Sequence, residues 1–408
     1  MTADWDALQG AIDGVVVLPG SPDYESVRKP AMARFAQLRP AAVVRCATPA
    51  DVAATLAMAR GLGLPTAIRS GGHSVAGRSS TEGVVLDVTP MRSVAVAGGV
   101  TTVGAGVRLG ELYDALATHG LTIPAGCGPT VGIAGLTLGG GLGILGRRHG
   151  LTCDHLLAGQ VVLADGRVVD CDEHHDQALF WGLRGAGGGH FGVVTSLVFR
   201  TLPAPAVTVF QLTWPPAAAA AVVQAWQAVA PEGPDELDAT LRLTAGDGER
   251  PPGVEVVGTV LDGQADATEL LGELVDRVGT DPVQASRRHL PHRAAKRYLT
   301  QGLAPGQSRE VDFLPWGGAY NRVPADATAF VHRGERSGRA RRRPRLAGAL
   351  VGAGASIGIW GRVPELPRPR PPGLARAYPG GTTTACDGSR RRTTRAASSA
   401  STSHFPSG

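Results

Sequence analysis

Between Ala41 and Gly72 the spacing of apolar positions changes character twice, and each change marks an element. The segment reads "AAVVRCATPADVAATLAMARGLGLPTAIRSGG". Val43–Cys46 is a short β-branched run and predicts a strand. Thr48 is placed as an N-cap, with Pro49 at the first helical position and Asp51 at the third, so a helix follows. Gly61, Gly63 and Pro65 end it, and Thr66–Arg69 predicts the next strand. "GVVLDVT" (Gly83–Thr89) predicts another strand, and "RLGELYDALATHG" a helix closed by Gly120. "GQVVLADGRVVDC" alternates on either side of Asp165-Gly166, the signature of a hairpin. "HDQALFWGLRGAGGG" predicts a short helix running into glycines, and "FGVVTSLVFRTL" a buried strand. Pro203 and Pro205 then punctuate a boundary.

Past that boundary, "VFQLTW", "DATLRLT" and "VEVVGTVL" predict strands of one sheet, with helices at Ala217–Ala230 and Ala265–Val278 covering one face. The pattern as a whole predicts an α+β chain: an N-terminal segment (1–36), a first domain (37–203), a second domain (204–335) and a tail (336–408). At 408 residues with 43% apolar composition there is ample material for packed cores. The start, "MTADWDALQGAIDG", carries acids where a secretory leader would be basic, and no apolar run reaches membrane-spanning length; the expectation is a soluble cytoplasmic protein. Five scattered cysteines without a C-x-x-C pair indicate neither a disulfide framework nor a zinc site.

The tail also decides how the charge is read. It holds fourteen arginines, no lysine and two acids, Glu365 and Asp387, a net of +12. With +5 overall, residues 1–335 carry −7, so the pI of 9.2 gives no argument for nucleic-acid binding by the body of the protein.

Two stretches carry candidate chemistry. One is "RSGGHS" (Arg69–Ser74); the other is "PAGCGPTVGIAGLTLGGGLGILGRRHG" (Pro124–Gly150), with ten glycines in 27 residues. Glycine this dense is costly in conformational entropy and adds little core, so it points to backbone brought against a ligand. Successive exposed N–H groups in such loops form anion-binding nests suited to a pyrophosphate. "GLGILG" (Gly141–Gly146) matches G-x-G-x-x-G, with Asp165 about twenty residues on, but Gly150 interrupts the required helix and "GIAGLTL" is a weak first strand, so a Rossmann site is rejected. "CDEHHD" (Cys171–Asp176) reads as a solvated acidic helix start rather than a metal cluster, and His332 in "FVHR" as part of a strand-like segment.

The ordered set "RSGGHS", "LDVTPM", "PTVGIAGLTLGGGLGILGRRHGLTCDHL" and "FWGLRGAGGGHFGVVTSLVFRT" resembles the berberine bridge enzyme-like flavoproteins of the vanillyl-alcohol oxidase superfamily, with an FAD-binding PCMH-type domain. The match runs over about 37–203, and "GGAYNRVPADATAFVHR" (Gly317–Arg333) is typical of the family's substrate domain. The resemblance implies FAD held by Arg69, Ser70, Gly71, Gly72, His73, Ser74, Gly77, Thr130, Val131, Gly132, Gly135, Leu136, Gly139, Gly140, Gly141, Asp154, Gly192 and Val194. It implies a covalent bond from His73 to the flavin 8α-methyl. Relatives often add a cysteine bond to flavin C6, but here that register holds Gly128 and Cys127 stands one residue earlier, so a single covalent link is expected. Val131 occupies the family's oxygen-gating position, where a small side chain implies oxidase chemistry: hydride from a hydroxyl- or amine-bearing small molecule to flavin N5, then electrons to O₂. The alternatives are a PCMH-fold reductase with free FAD and a nicotinamide donor, or an inactive flavin-binding product. No metal, nucleic-acid or membrane partner is expected.

The Arg/Pro/Ser-rich tail is read as out of frame and disordered, because codons permitted for Thr382–Arg395, shifted by two bases, allow a Tyr-Asp-Arg-Leu-Arg-Arg-Val-Lys segment of the kind that closes the family's FAD domain. The tyrosine the family brings to the substrate from that region is then missing, which leaves Tyr320 as a fallback base.

Overall fold

The computed structural model describes residues 3–245, 252–261, 264–292, 309–330 and 332–334. The tail, with the frame-shift reading attached to it, lies outside the described residues.

The strand–helix–strand expected at the start forms as read. In the first sheet β1 (Val15–Val17), β2 (Ala42–Arg45), β3 (Thr66–Arg69) and β4 (Val84–Asp87) lie in the order β1-β2-β4-β3. β4 runs parallel to both β2 and β3, while β1 is antiparallel to β2. Residues 15–17 thus join this sheet, although the sequence set them apart as an N-terminal segment. The connecting helix Pro49–Gly61 opens on a capping box: Thr48 Oγ1 accepts from the Asp51 N–H at 3.2 Å, and the Asp51 carboxylate accepts from the Thr48 N–H.

A second, antiparallel sheet orders β5 (Val94–Ala97), β6 (Val100–Gly104), β8 (Leu156–Val162), β9 (Val168–Asp172) and β10 (Val193–Arg200) as β5-β6-β10-β8-β9. β8 and β9 are the hairpin read around Asp165-Gly166, where Gly166 adopts φ +89°. A two-residue pair, β7 (Leu121–Thr122) with β11 (Leu202–Pro203), closes the first region near the proline boundary.

The third sheet is also antiparallel: β12 (Ala206–Trp214), β13 (Leu237–Ala245), β14 (Gly253–Leu261), β15 (Gln284–Pro291) and β16 (Arg309–Phe313), in the order β15-β12-β14-β13-β16. The helices Ala219–Val229 and Gln264–Val278 bury Val222, Trp226, Leu271 and Leu274 against Phe210, Leu212, Leu241 and Val256 on one face of it. The other face begins with Val207, Val209 and Leu261, which pack on Ile144 and Leu145 of the long glycine-rich segment, with Cys127 against them.

The rejection of a Rossmann site holds: "GIAGLTL" forms the helix Ile133–Leu138 rather than a strand, and the turn Gly146–His149 is ended by Gly150 at φ +90°. One feature departs from the sequence reading. "FVHR" is not strand-like: His332–Gly334 is one 3₁₀ turn, with the His332 ring edge-on to Phe330 at 5.5 Å. The segment around it, counted by sequence with the second domain, packs on the first. Trp181 Nε1 donates to Asp326 O at 2.7 Å, Arg184 donates to Ala327 O at 3.0 Å, and Phe330 and Tyr320 cluster with Leu151 and Cys153.

Arg333 fastens this return. Its side chain is 1% exposed and both of its terminal nitrogens bond the Asp154 carboxylate. Removing one partner leaves a buried, uncompensated charge, so Asp154→Asn is expected to cost about 3–5 kcal/mol. Asp165→Asn, which breaks the exposed pair with Arg167, is expected to stay within about 0.5 kcal/mol. Urea unfolding of the two variants beside the parent checks the contrast.

Candidate active site

β3 delivers Arg69 to the edge of the site, but its guanidinium turns inward. It donates to Val27 O (2.6 Å), Arg28 O (2.9 Å), Ser79 O (3.0 Å) and Ser80 Oγ (3.1 Å). Burial pulls its pKa down, with Asp87 opposing. Arg69 therefore ties the loop that follows to the N-terminal segment from behind, and its side chain is spent on protein acceptors. Ser70 Oγ donates to Ala105 O at 2.7 Å, and Gly72 sits at φ +73°, a left-handed backbone that favours glycine, where a Cβ would also crowd Ala31 N at 3.1 Å.

The two glycine stretches meet here. A Cβ on Gly71 would stand 2.2 Å from Gly132 N, and one on Gly132 would stand 2.1 Å from Ser70 Oγ. This backbone approach brings His73 to Thr130, where Nε2 and Oγ1 are 2.9 Å apart across 57 residues of sequence. The His73 ring is half-buried, and burial, with help from the Arg108 cation, lowers its pKa. Thr130 and Pro129 are exposed, and Val131 is half-buried. Their loop hangs on the preceding strand–helix junction: Leu109 N donates to Val131 O, Gly110 N to Pro129 O and Ile133 N to Val107 O. Among the described residues, no protein acceptor takes the N–H of Gly71, Gly72, His73 or Ser74. Four successive unspent donors are the nest an anion needs.

The helix Ile133–Leu138 buries Ile133, Ala134, Thr137 and Leu138, and leaves Gly135 and Gly139 exposed on the other side. A Cβ on Gly135 would meet nothing within 4 Å. Beside it runs a third glycine segment, in which Gly187 N donates to Leu138 O at 2.7 Å and Gly189 lies against Ile68. Arg78 Nη1 stands 3.3 Å from His190 Nε2, so the first and third segments touch at the surface. Three glycine-bearing segments thus meet beside the exposed Gly135 and Gly139, where no side chain stands in the way of a flat ligand. That shape fits a planar cofactor carrying a diphosphate.

The remaining residues assigned to the cofactor stand behind these glycines or at their margins. Asp154 is taken by Arg333 and by Leu151 N; Gly140 faces the Phe330 ring, and Gly141 the Thr152 side chain. Leu136 is half-buried beneath Gly126. Ser74 Oγ accepts from Arg78 N in a local turn, and Gly77, at φ +77°, lies against Phe35. Gly192 lies against Val162 O, and Val194 is buried in β10.

Tyr320 does not have the setting of a base. It is 4% exposed, stacked on Trp316 at 5.0 Å, and its hydroxyl donates to Gly143 O at 3.0 Å. Burial drives its pKa up, away from the phenolate a base must form. Among the described residues no group of three His, Cys, Asp or Glu could hold a metal, and "CDEHHD" is a local turn in which Asp172 accepts from the N–H groups of His174 and His175. No described helix is long and apolar enough to cross a membrane.

Sequence reasoning missed Arg108, whose charge bears on His73, and the Arg78–His190 contact. Neither has a motif, because both arise from loops joined only in three dimensions.

An FAD-binding domain family matches residues 40–172. Over 363 residues the chain is 32% identical to YgaK of Bacillus subtilis (strain 168), an uncharacterized FAD-linked oxidoreductase, with 79% of each chain covered. The chain belongs to the berberine bridge enzyme-like FAD-linked oxidoreductases. Among solved structures, 6-hydroxy-D-nicotine oxidase from Arthrobacter nicotinovorans is similar at TM-score 0.66 and 28% identity, covering 72% of this chain and 65% of that one. Glucooligosaccharide oxidase from Acremonium strictum, whose crystal structure reveals a novel flavinylation, is similar at TM-score 0.66 and 26% identity, covering 75% and 65%. This FAD-linked oxidoreductase is thus an enzyme, and the first two of its glycine segments lie within the FAD-binding match.

The Gly71–Gly132 approach makes a sharp prediction. Gly132→Ala sets a methyl group against the Ser70 side chain and the Gly71 main-chain nitrogen, and the nitrogen cannot turn aside, at a cost of about 1–3 kcal/mol. The expected result is a variant that unfolds at somewhat lower temperature and retains little FAD. Gly135→Ala, at the open position, should keep parental stability while holding FAD more weakly. Thermal melting and flavin absorbance of the purified variants check both.

Proposed function

We propose that this enzyme is an oxidase that carries FAD on a single covalent bond to His73, oxidises a small hydroxyl- or amine-bearing molecule, and passes the electrons to O₂. One observation carries the reading: His73 stands at the junction of the two glycine segments with Nε2 engaged by Thr130. When Nε2–H donates to the Thr130 hydroxyl, the lone pair is on Nδ1, and Nδ1 is then the nitrogen free to bond. Burial favours this neutral ring.

The protein's part is to bind and orient. The N–H groups of Gly71–Ser74 would take the diphosphate, Gly135 and Gly139 would let the cofactor lie flat, and Val131 would face it with a side chain small enough to admit O₂. FAD, when bound, supplies the acceptor for the substrate's hydride and the route to O₂. Cys127 supports the single link: it is packed against Val207, Val209, Leu261, Ile144 and Leu145, an apolar seat with no call for a thiolate. The likeness to a nicotine oxidase and an oligosaccharide oxidase supports a small organic substrate.

Acid precipitation of the purified protein tests the central claim. The expected result is a yellow pellet, with His73→Ala releasing its flavin to the supernatant. Free flavin from the parent protein would instead favour a reductase with dissociable FAD. Val131→Leu is expected to slow reoxidation by O₂ at least about tenfold in stopped-flow, with little change in anaerobic reduction by substrate.

The pH dependence of cofactor attachment follows from the histidine. An imidazolium has no lone pair, so attachment fails once His73 is protonated. Because its pKa is lowered, the rate of colour incorporation into apoprotein should hold below the ordinary histidine value of about 6.5 and fall only in more acidic buffer. Thr130→Val should reduce the rate at every pH, since nothing then fixes the tautomer.

A further inference from the structure

Past its run of unspent N–H groups, the first glycine loop closes in a tight turn. Gly77 N donates to Ser74 O at 3.0 Å, Arg78 N to Ser74 Oγ at 3.1 Å, and Ser80 N to Gly77 O at 3.1 Å. Gly77 takes φ +77°, a backbone that suits glycine. Ser74 is therefore both the last residue of the nest and the acceptor that folds the turn back, so Arg78 is tied to the nest through its own main chain. The far side is tied as well, because Arg69 donates to Ser79 O and Ser80 Oγ. The Arg78 backbone is held on both sides.

Its side chain is not. Arg39, Arg92 and Arg167 are exposed arginines of the first region, and each meets a carboxylate: Glu25, Glu111 and Asp165. Arg78 is also exposed, and its guanidinium meets a ring nitrogen instead, with Nη1 at 3.3 Å from His190 Nε2. A guanidinium can only donate, so Nε2 accepts. A neutral acceptor is a weaker partner for that cation than an anion would be. His190 itself stands on the third glycine segment, which Gly187 N fastens to Leu138 O and which lies along Ile68 of β3, the strand that feeds the nest.

We propose that Arg78 is the cation that recognises the FAD diphosphate, turning from His190 to the phosphates when the cofactor enters, and so sets the preference for FAD over a flavin without phosphate. This rests on the flavin-site reading above, and it names a residue of that site which the motifs do not mark. The N–H groups of Gly71–Ser74 supply hydrogen bonds but no net charge, and a diphosphate is anionic. Arg69 cannot neutralise it, because its guanidinium is spent on Val27 O, Arg28 O, Ser79 O and Ser80 Oγ. Arg78 brings a planar fork of donors that fits phosphate oxygens, on a backbone already fixed beside the nest.

The test uses the full chain carrying His73→Ala, in which flavin binds reversibly, and measures FAD and riboflavin binding by calorimetry. Adding Arg78→Gln is expected to weaken FAD about tenfold, the effect of one lost charged hydrogen bond, and to flatten the salt dependence of binding. Riboflavin, which has no phosphate, should be held equally with and without the change, and Arg78→Lys should restore part of the FAD affinity. The melting temperature should stay parental, since the guanidinium is exposed. With His73 intact, Arg78→Gln should raise about tenfold the FAD concentration that gives half-maximal colour incorporation, at an unchanged maximal rate. Unaltered FAD affinity in Arg78→Gln would overturn this proposal alone, as would an equal loss of FAD and riboflavin. A chain that takes up no flavin with His73 intact would overturn the flavin-site reading and this proposal with it.

Discussion

The site depends on two peptide backbones lying closer than any side chain permits. Gly71 and Gly132 belong to segments about sixty residues apart, and a single methyl group on either would collide with main-chain atoms of the other segment. A collision with a rotatable side chain can be relieved; a collision with an amide nitrogen held at both ends cannot. The His73–Thr130 contact, the placing of Val131 and the unspent N–H groups of the first loop all follow from that approach. The entropy lost in ordering so many glycines is offset by what surrounds them rather than by their own contacts.

What surrounds them is a set of buried arginines that bond backbone carbonyls. Arg69 anchors the first loop to Val27, Arg28 and Ser79. Arg147, at the end of the long glycine segment, donates to Pro231 O and Gly233 O and so binds that segment to the second region. Arg333 clamps the returning chain on Asp154, while Tyr320 reaches Gly143 O. Each stands where a glycine-rich stretch would otherwise have little to hold it. A guanidinium presents several donors in a fixed plane, so one side chain can restrain two or three carbonyls at once.

This arrangement explains what could be read from the chain alone. The elements of the first region were legible because their signals are local: Thr48, Pro49 and Asp51 start a helix wherever it is packed, and Asp165-Gly166 turns a hairpin without help. The loop that carries His73 was legible because it is a motif. The helix Ile133–Leu138 was not, because its glycines read as irregular loop, and only contact on its Ile133 and Leu138 side makes it a helix. Asp154 and Arg69 looked like ligand residues because they sit in the motifs; their side chains turn out to bond the protein itself. Tyr320 shows the same limit, since a tyrosine's value as a base depends on burial and partners that no spacing reveals.

Cys127 shows how little sequence distance separates two chemistries. One position along, a thiol would stand at Gly128, beside Val131, where a Cβ would already lie 3.0 Å from the valine side chain. At 127 it packs where Ile144 and Leu145 meet Val207, Val209 and Leu261 of the third sheet. A thiol in that seat contributes as a small apolar group and helps close the junction between the glycine segment and the sheet. The one-residue shift thus adds to the packing between the cofactor half and the sheet. In this chain His73 is left as the single covalent anchor proposed for the flavin, while the fit between the two halves rests on packed side chains.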